Sequence, residues 1–241
     1  MDNSRNELLC ANSIWVFVPM LCVGVFLMAG FLPPPSPSMG PHEVAKIFSP
    51  DNVMMRAGIM LAMLGSCTFL LPMLAIGAQL RRMEGPNPIL SNANDSVAAL
   101  CCVCNMVPCF LWLAASYRSN ISPDVITVMN DLAWFIFIGG IATQILLNLV
   151  QGICILNDRS GLDIYPRWLG YWNILLVLTF LPDVLLPFFR TGPFTYSGVL
   201  GFWVPAFGYF TWMSLNYWFT VRAIRRQSES ARLSTTARLA A

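Results

Sequence analysis

One carboxylate, Asp183 in the stretch FLPDVLLPFF, sits deep in a long apolar run. A charge in hydrocarbon needs a counter-ion, water or a proton, which makes Asp183 a candidate functional residue. Arg190 follows seven residues later, two α-helical turns along the same face. The sequence therefore predicts an external Asp183–Arg190 ion pair. Arg56, Arg118 and Asp131 fall at similar depth on other elements. Proton coupling through Asp183 is the second reading.

Carboxamides form the other polar group. Gln144, Asn148 and Gln151 recur at i, i+4 and i+7, one stripe of a helix that must face protein or water. Asn105, Asn173 and Asn216 occupy three further apolar runs. With Asn148 and Gln151 they form a predicted layer shared by four helices. Two roles stay open for it: interhelical hydrogen bonding, at roughly 1 kcal/mol per bond, or a ligand site.

Other chemistry is poorly supported. The single histidine, His42, lies in a Pro-rich loop, whereas membrane haem, copper and di-iron centres need imidazoles on helices. Cys101 and Cys104 make a C-x-x-C pattern inside an apolar run, but no carboxylate or histidine accompanies them at metal-ligand spacing. No nucleophile–base set or carboxylate pair is evident either. The expectation is no metal, no cofactor and no catalytic residue.

These groups must be positioned by membrane helices. The chain has 241 residues, 56% hydrophobic and 11% charged, with mean hydropathy +0.63; a soluble domain carries about a quarter charged residues. Net charge is only +2, so no field for nucleic acid is implied. Runs near the roughly 20 apolar residues a crossing requires lie at 12–32, 57–80, 96–116, 131–156, 168–189 and 197–221. The fold class is thus all-α and polytopic: six transmembrane helices in a 1–226 membrane domain, then a weakly ordered cytoplasmic tail over 227–241.

Orientation follows from the basic residues of the short loops. Ten lie on one side, at Arg5, at 81–82, at 159 and 167, and from Arg222 to Arg238, against Lys46, Arg56, Arg118 and Arg190 on the other. Both termini are therefore expected in the cytoplasm. Acids precede the first apolar run and no small-residue cleavage site follows it, so that run is expected to remain rather than be removed as a signal peptide.

The external loop 33–56 opens on Pro33, Pro34, Pro35 and Pro37, favouring extended backbone. HEVAKIF then predicts a short helix laying Val44, Ile47 and Phe48 on the membrane surface. Ser49-Pro50-Asp51 and Ser122-Pro123-Asp124 both read as helix starts, with Ser as cap and Pro in the first turn. Prolines punctuate five of the six runs, and Gly139-Gly140 interrupts the fourth. Trp168, Tyr171, Trp172, Tyr217 and Trp218 read as an interfacial belt. Phe188, Phe189, Phe194, Tyr196, Phe202 and Trp203 are expected to line the last external turn.

The segment YPRWLGYWNILLVLTFLPDVLLPFF, with FLPPPSPS before it and FFRTGPF and FWVP after it, resembles a group of uncharacterised bacterial multi-pass proteins with a P-R-W-L-G helix opening. The resemblance implies six spans and a bacterial inner membrane, and carries no activity. The leading functional expectation is a non-catalytic bundle that binds a partner subunit or a hydrophobic small molecule, with membrane lipids around it. A small-solute or proton-coupled carrier is the alternative, and a lipid- or hydrocarbon-processing enzyme a third.

Overall fold

The structure, a computed structural model, describes residues 3–240, with side chains through residue 230 and at Leu233. The described chain is all-α, with no strand. Its helices are α1 (Ser4–Met28), α2 (Pro41–Ile47), α3 (Val53–Glu84), α4 (Ile89–Ala115), α5 (Pro123–Leu156), α6 (Arg167–Phe188) and α7 (Val204–Ala240). Five of them, α1, α3, α4, α5 and α6, are long and apolar enough to cross a membrane. At 1.5 Å rise per residue, the 27 residues of α4 extend about 40 Å, beyond a hydrocarbon thickness of roughly 30 Å. Large apolar side chains stand exposed around the bundle, among them Leu27, Leu64, Phe110, Leu178 and Phe207. Such a surface is unsuited to water and marks a multi-pass membrane protein.

The predicted runs fall on helices, with shifted limits. The first begins at Ser4, and the third at Ile89, because the polar residues of 4–11 and 91–96 continue the same helices. Glu84 caps the start of α4 from the preceding helix, its carboxylate accepting from the Leu90 and Ser91 amides at 2.8 and 2.7 Å. Helix α7 runs on to Ala240, since Arg, Gln, Glu, Leu and Ala all favour helix. Ala241 lies outside the described residues.

Helix α4 is central, packing against both halves of α3 and of α5, while α7 closes the bundle against α1, α3 and α6. The crossing of α1 and α3 brings two backbones together. A Cβ on Gly24 would stand 2.4 Å from the Gly58 carbonyl oxygen, and one on Gly58 would stand 2.5 Å from that of Gly24. Small residues at such crossings are how membrane helices gain packing without a hydrophobic driving force.

At the end of the bundle that carries α2, the structure corrects two local expectations. Val44 and Phe48 do not lie on the membrane surface; both are buried, with Phe48 against Phe31 at 6.0 Å between ring centroids, and α2 packs on α5. The exposed edge of α2 is the polar one, His42, Glu43 and Lys46. The cap of α3 is Asn52, whose side chain accepts from the Met55 amide at 3.1 Å, while Ser49 and Pro50 form the turn before it. Ser122 does cap α5 as expected, accepting from Val125.

Candidate functional site

Four elements abandon regular α-helix in one neighbourhood. The last part of α1 is π-helical over Cys22–Met28, and the chain enters α7 through another π turn, Val199–Trp203. Helix α5 breaks at Ile138–Gly140 between Pro123–Phe137 and Ile141–Leu156. The end of α6, Leu181–Phe188, is a 3₁₀ helix. Pro182 lacks a backbone N–H and its ring crowds the carbonyl four residues earlier, and Pro187 repeats the effect.

These stretches border a cavity of about 110 Å³. A water needs roughly 10–15 Å³ on this scale, so the space suits a small organic molecule. Phe26 and Phe202 come from the two π segments, Ile138 and Gly140 from the break in α5, and Asp183 from the 3₁₀ turn. Asn105, Gln144 and Asp183 are its amide and carboxyl groups, set among mainly apolar walls.

Asp183 is 1% exposed and neither carboxyl oxygen has a partner among the described residues. The predicted Asp183–Arg190 pair is therefore absent. The same-face argument assumed 3.6 residues per turn, whereas seven residues of 3₁₀ helix end about 120° from where they began. Phe189 then turns extended, at φ −126° and ψ 127°, and Arg190 is exposed. The three-residue period is visible in burial: Asp183 and Leu186 are inside, while Val184, Leu185 and Phe188 are outside.

The carboxamides divide into two groups. Gln151 donates to Asn94 Oδ1 at 2.9 Å, and Trp212 Nε1 donates to both Gln151 Oε1 at 3.2 Å and Asn173 Oδ1 at 2.9 Å. Asn94 in turn donates to the Met73 carbonyl at 3.1 Å. This fully buried network ties together α3, α4, α5, α6 and α7. Asn216 donates only within its own helix, to the Trp212 carbonyl, and its side-chain oxygen is unpartnered. Gln144, one α-helical stripe from Gln151, instead reaches the cavity with its Nε2 unpartnered. Asn148 lies between them, fully buried and without a partner for either side-chain atom among the described residues. Asn105 lines the cavity, half-buried.

Sequence reasoning missed Asn94 and Trp212. Asn94 precedes the predicted start of its run, and a Trp within a run of aromatics reads as belt rather than hydrogen-bond hub. It also missed the aromatic stack above the cavity. Trp134 lies against Tyr196 at 5.5 Å and 7°, with Trp112, Phe31, Phe137 and Phe202 edge-on or tilted around it. The predicted turn cluster thereby splits: Tyr196 and Phe202 are core, while Phe188, Phe189 and Trp203 are exposed. Tyr196 donates to Asp131 Oδ1 at 3.0 Å. Burial, then the Asp131 carboxylate, pushes the Tyr196 phenol well above its ordinary pKa.

All eight cysteines are free. Cys101 and Cys104 both face the cavity wall, Cys101 donating to Thr143 Oγ1 at 3.3 Å. No cluster of three or more metal-ligating side chains exists among the described residues. Compared with known proteins, the chain matches no family model, no curated protein and no solved structure.

Proposed function

We propose that this protein is a non-catalytic membrane bundle that binds a hydrophobic small molecule in the cavity bordered by Asn105, Gln144 and Asp183. The observation that carries the reading is the convergence of four non-α stretches on that cavity. Backbone irregularity inside a membrane is tolerated where it is buried in protein or lines a cavity, and π turns gather at functional sites. A mainly apolar lining with a few polar groups is also the usual make-up of a small-molecule pocket. The internal position of these polar groups favours a small molecule over a partner subunit. A carrier is the second reading, favoured by the unpartnered Asp183 carboxyl on the cavity wall.

The proposed arrangement is six passages with both termini in the cytoplasm of a bacterial inner membrane. Residues 204–221 of α7, the sixth passage, carry no charge; their Trp, Tyr and Asn content lowers the hydropathy. Positive-inside bias supports the orientation, and the resemblance of the P-R-W-L-G region supports the bacterial membrane. Membrane lipids are the proposed surroundings, with a groove of about 760 Å³ between α1 and α7 joining apolar Ile14 and Val18 to Arg222 and Arg225.

Two experiments test this. The purified protein in detergent is expected to bind a neutral solvatochromic dye with a blue-shifted emission, and Ala206→Trp, which fills the cavity wall, to weaken binding at least tenfold. Equal binding by that variant removes the cavity from the reading. In intact cells an impermeant maleimide is expected to label Ser38→Cys above wild-type background, and Ser230→Cys only after permeabilisation. The reverse pattern overturns the orientation.

A further inference from the structure

The cavity wall carries a carboxyl group with no counter-ion among the described residues. Asp183 is 1% exposed, and among the described residues both its oxygens lack a hydrogen-bond partner and no Lys or Arg lines the cavity. An ionised carboxylate buried alone costs several kcal/mol. Asn130, Asn148 and Asn216 also bury side-chain atoms without a partner among the described residues, but Asp183 is the one acid in that state, and it stands on the cavity wall. A group left open on a cavity wall therefore points to an occupant.

Two kinds of occupant match a carboxylate, a proton and a cation. A proton neutralises the carboxyl but does not fill the space, whereas a cation does both. Phe26, Phe137, Phe202, Tyr209 and Phe210 surround the space, and aromatic faces attract cations that have shed water. An inorganic cation is a poor fit, because hard metal ions take six or more oxygen ligands. Here Asp183, Asn105, Gln144, Thr143 and Tyr209 are the polar side chains available. An ammonium group on an apolar body uses everything present: charge against carboxylate, body against aromatic walls, and remaining N–H or polar edges toward the amides.

We propose that the cavity is a site for a hydrophobic organic cation of about one ring's size, an aliphatic or benzylic ammonium held with its charge beside Asp183. This rests on the small-molecule reading above and names the class of molecule. Asp183 is the charge-selecting residue, and Gln144 and Asn105 are secondary contacts.

The test compares two isosteres, benzyltrimethylammonium and neopentylbenzene, which differ in replacing the cationic nitrogen by carbon. Binding to the purified protein in detergent is measured calorimetrically for wild type and for Asp183→Asn. Taking the ratio between the two proteins for each ligand cancels partitioning into detergent. The expected result is at least a tenfold loss of affinity for the ammonium in Asp183→Asn, with the neutral isostere changed less than twofold. If wild type binds both and the substitution changes both alike, the cation class is wrong while the small-molecule reading stands. If wild type binds neither, both readings fall. Should Asp183→Asn bind neither ligand, Asp183→Glu decides: retained preference for the ammonium supports the assignment, and its loss overturns it.

Discussion

The single indole N–H of Trp212 serves two buried oxygens, and this makes the network's contribution measurable. The donor lies 2.9 Å from Asn173 Oδ1 and 3.2 Å from Gln151 Oε1, and all three residues are 0% exposed. Hydrogen bonds between membrane helices average about 0.6 kcal/mol, with a maximum near 1.7. The closer acceptor takes the larger share, and when it is removed the N–H turns wholly to Gln151, so part of the loss is recovered. A double-mutant cycle with Trp212→Phe and Asn173→Leu is therefore expected to give a coupling energy of about 0.5–1.5 kcal/mol. The cycle cancels the packing lost with the indole ring and the Asn173 bond to the Leu169 carbonyl. Unfolding is followed by circular dichroism during titration with sodium dodecyl sulfate in mixed micelles, where the fold can be recovered reversibly. Coupling below about 0.3 kcal/mol is within the additivity error of independent sites. That result would refute the claim that these carboxamides hold α6 and α7 together.

Two further substitutions separate the observed fold from what the sequence predicted. Arg190→Ala is expected to change stability by no more than about 0.5 kcal/mol, the range for exposed sites, because Arg190 is exposed and Asp183 is not its partner. A cost of about 3–5 kcal/mol, typical of breaking a buried ion pair, would restore the pair. Phe48→Ala is expected to cost about 3–5 kcal/mol, as for a ring removed from a core, since Phe48 is 1% exposed against Phe31. A surface-lying helix would give less than about 1 kcal/mol in the same micelle titration.

The long-range features were legible where they depend on composition, and illegible where they depend on phase. Apolar runs of 20 residues announce their own helices, so the elements positioning Asp183 and the carboxamides were readable. Burial follows from polar residues inside such runs having to face protein, and Gln144, Gln151, Asn173 and Asp183 are all inside the bundle. Partners were not readable. Gln144 and Gln151 share a face of α5 but stand about 10 Å apart along it, so whether each meets the Trp212 network or the cavity depends on what the neighbouring helices place at its height. Trp212 donates to groups 39 and 61 residues away, a relation no local pattern encodes. Val44 and Phe48 misled for the same reason, since an apolar face looks alike whether it meets lipid or Phe31.

The failure at Asp183 carries the most physics. Pro182 stands one residue before it, so the helix tightens there and each further residue turns about 120° instead of about 100°. This rotation exposes Val184, Leu185 and Phe188 and keeps Asp183 and Leu186 inside. An ordinary α-helix over 181–190 would have carried Arg190 round to the face of Asp183 and offered it a counter-ion. The proline that breaks the helix is thus also what leaves the carboxyl unpaired on the cavity wall. The same logic extends to Gly139-Gly140 and to the π turns at 22–28 and 199–203, each of which displaces side chains from the phase a regular helix would give. Phe26, Gly140, Asp183 and Phe202 meet at one cavity because four helices depart from regularity beside it. Packing alone gives no reason for departures on four separate helices to coincide, whereas a space to be kept open among them does.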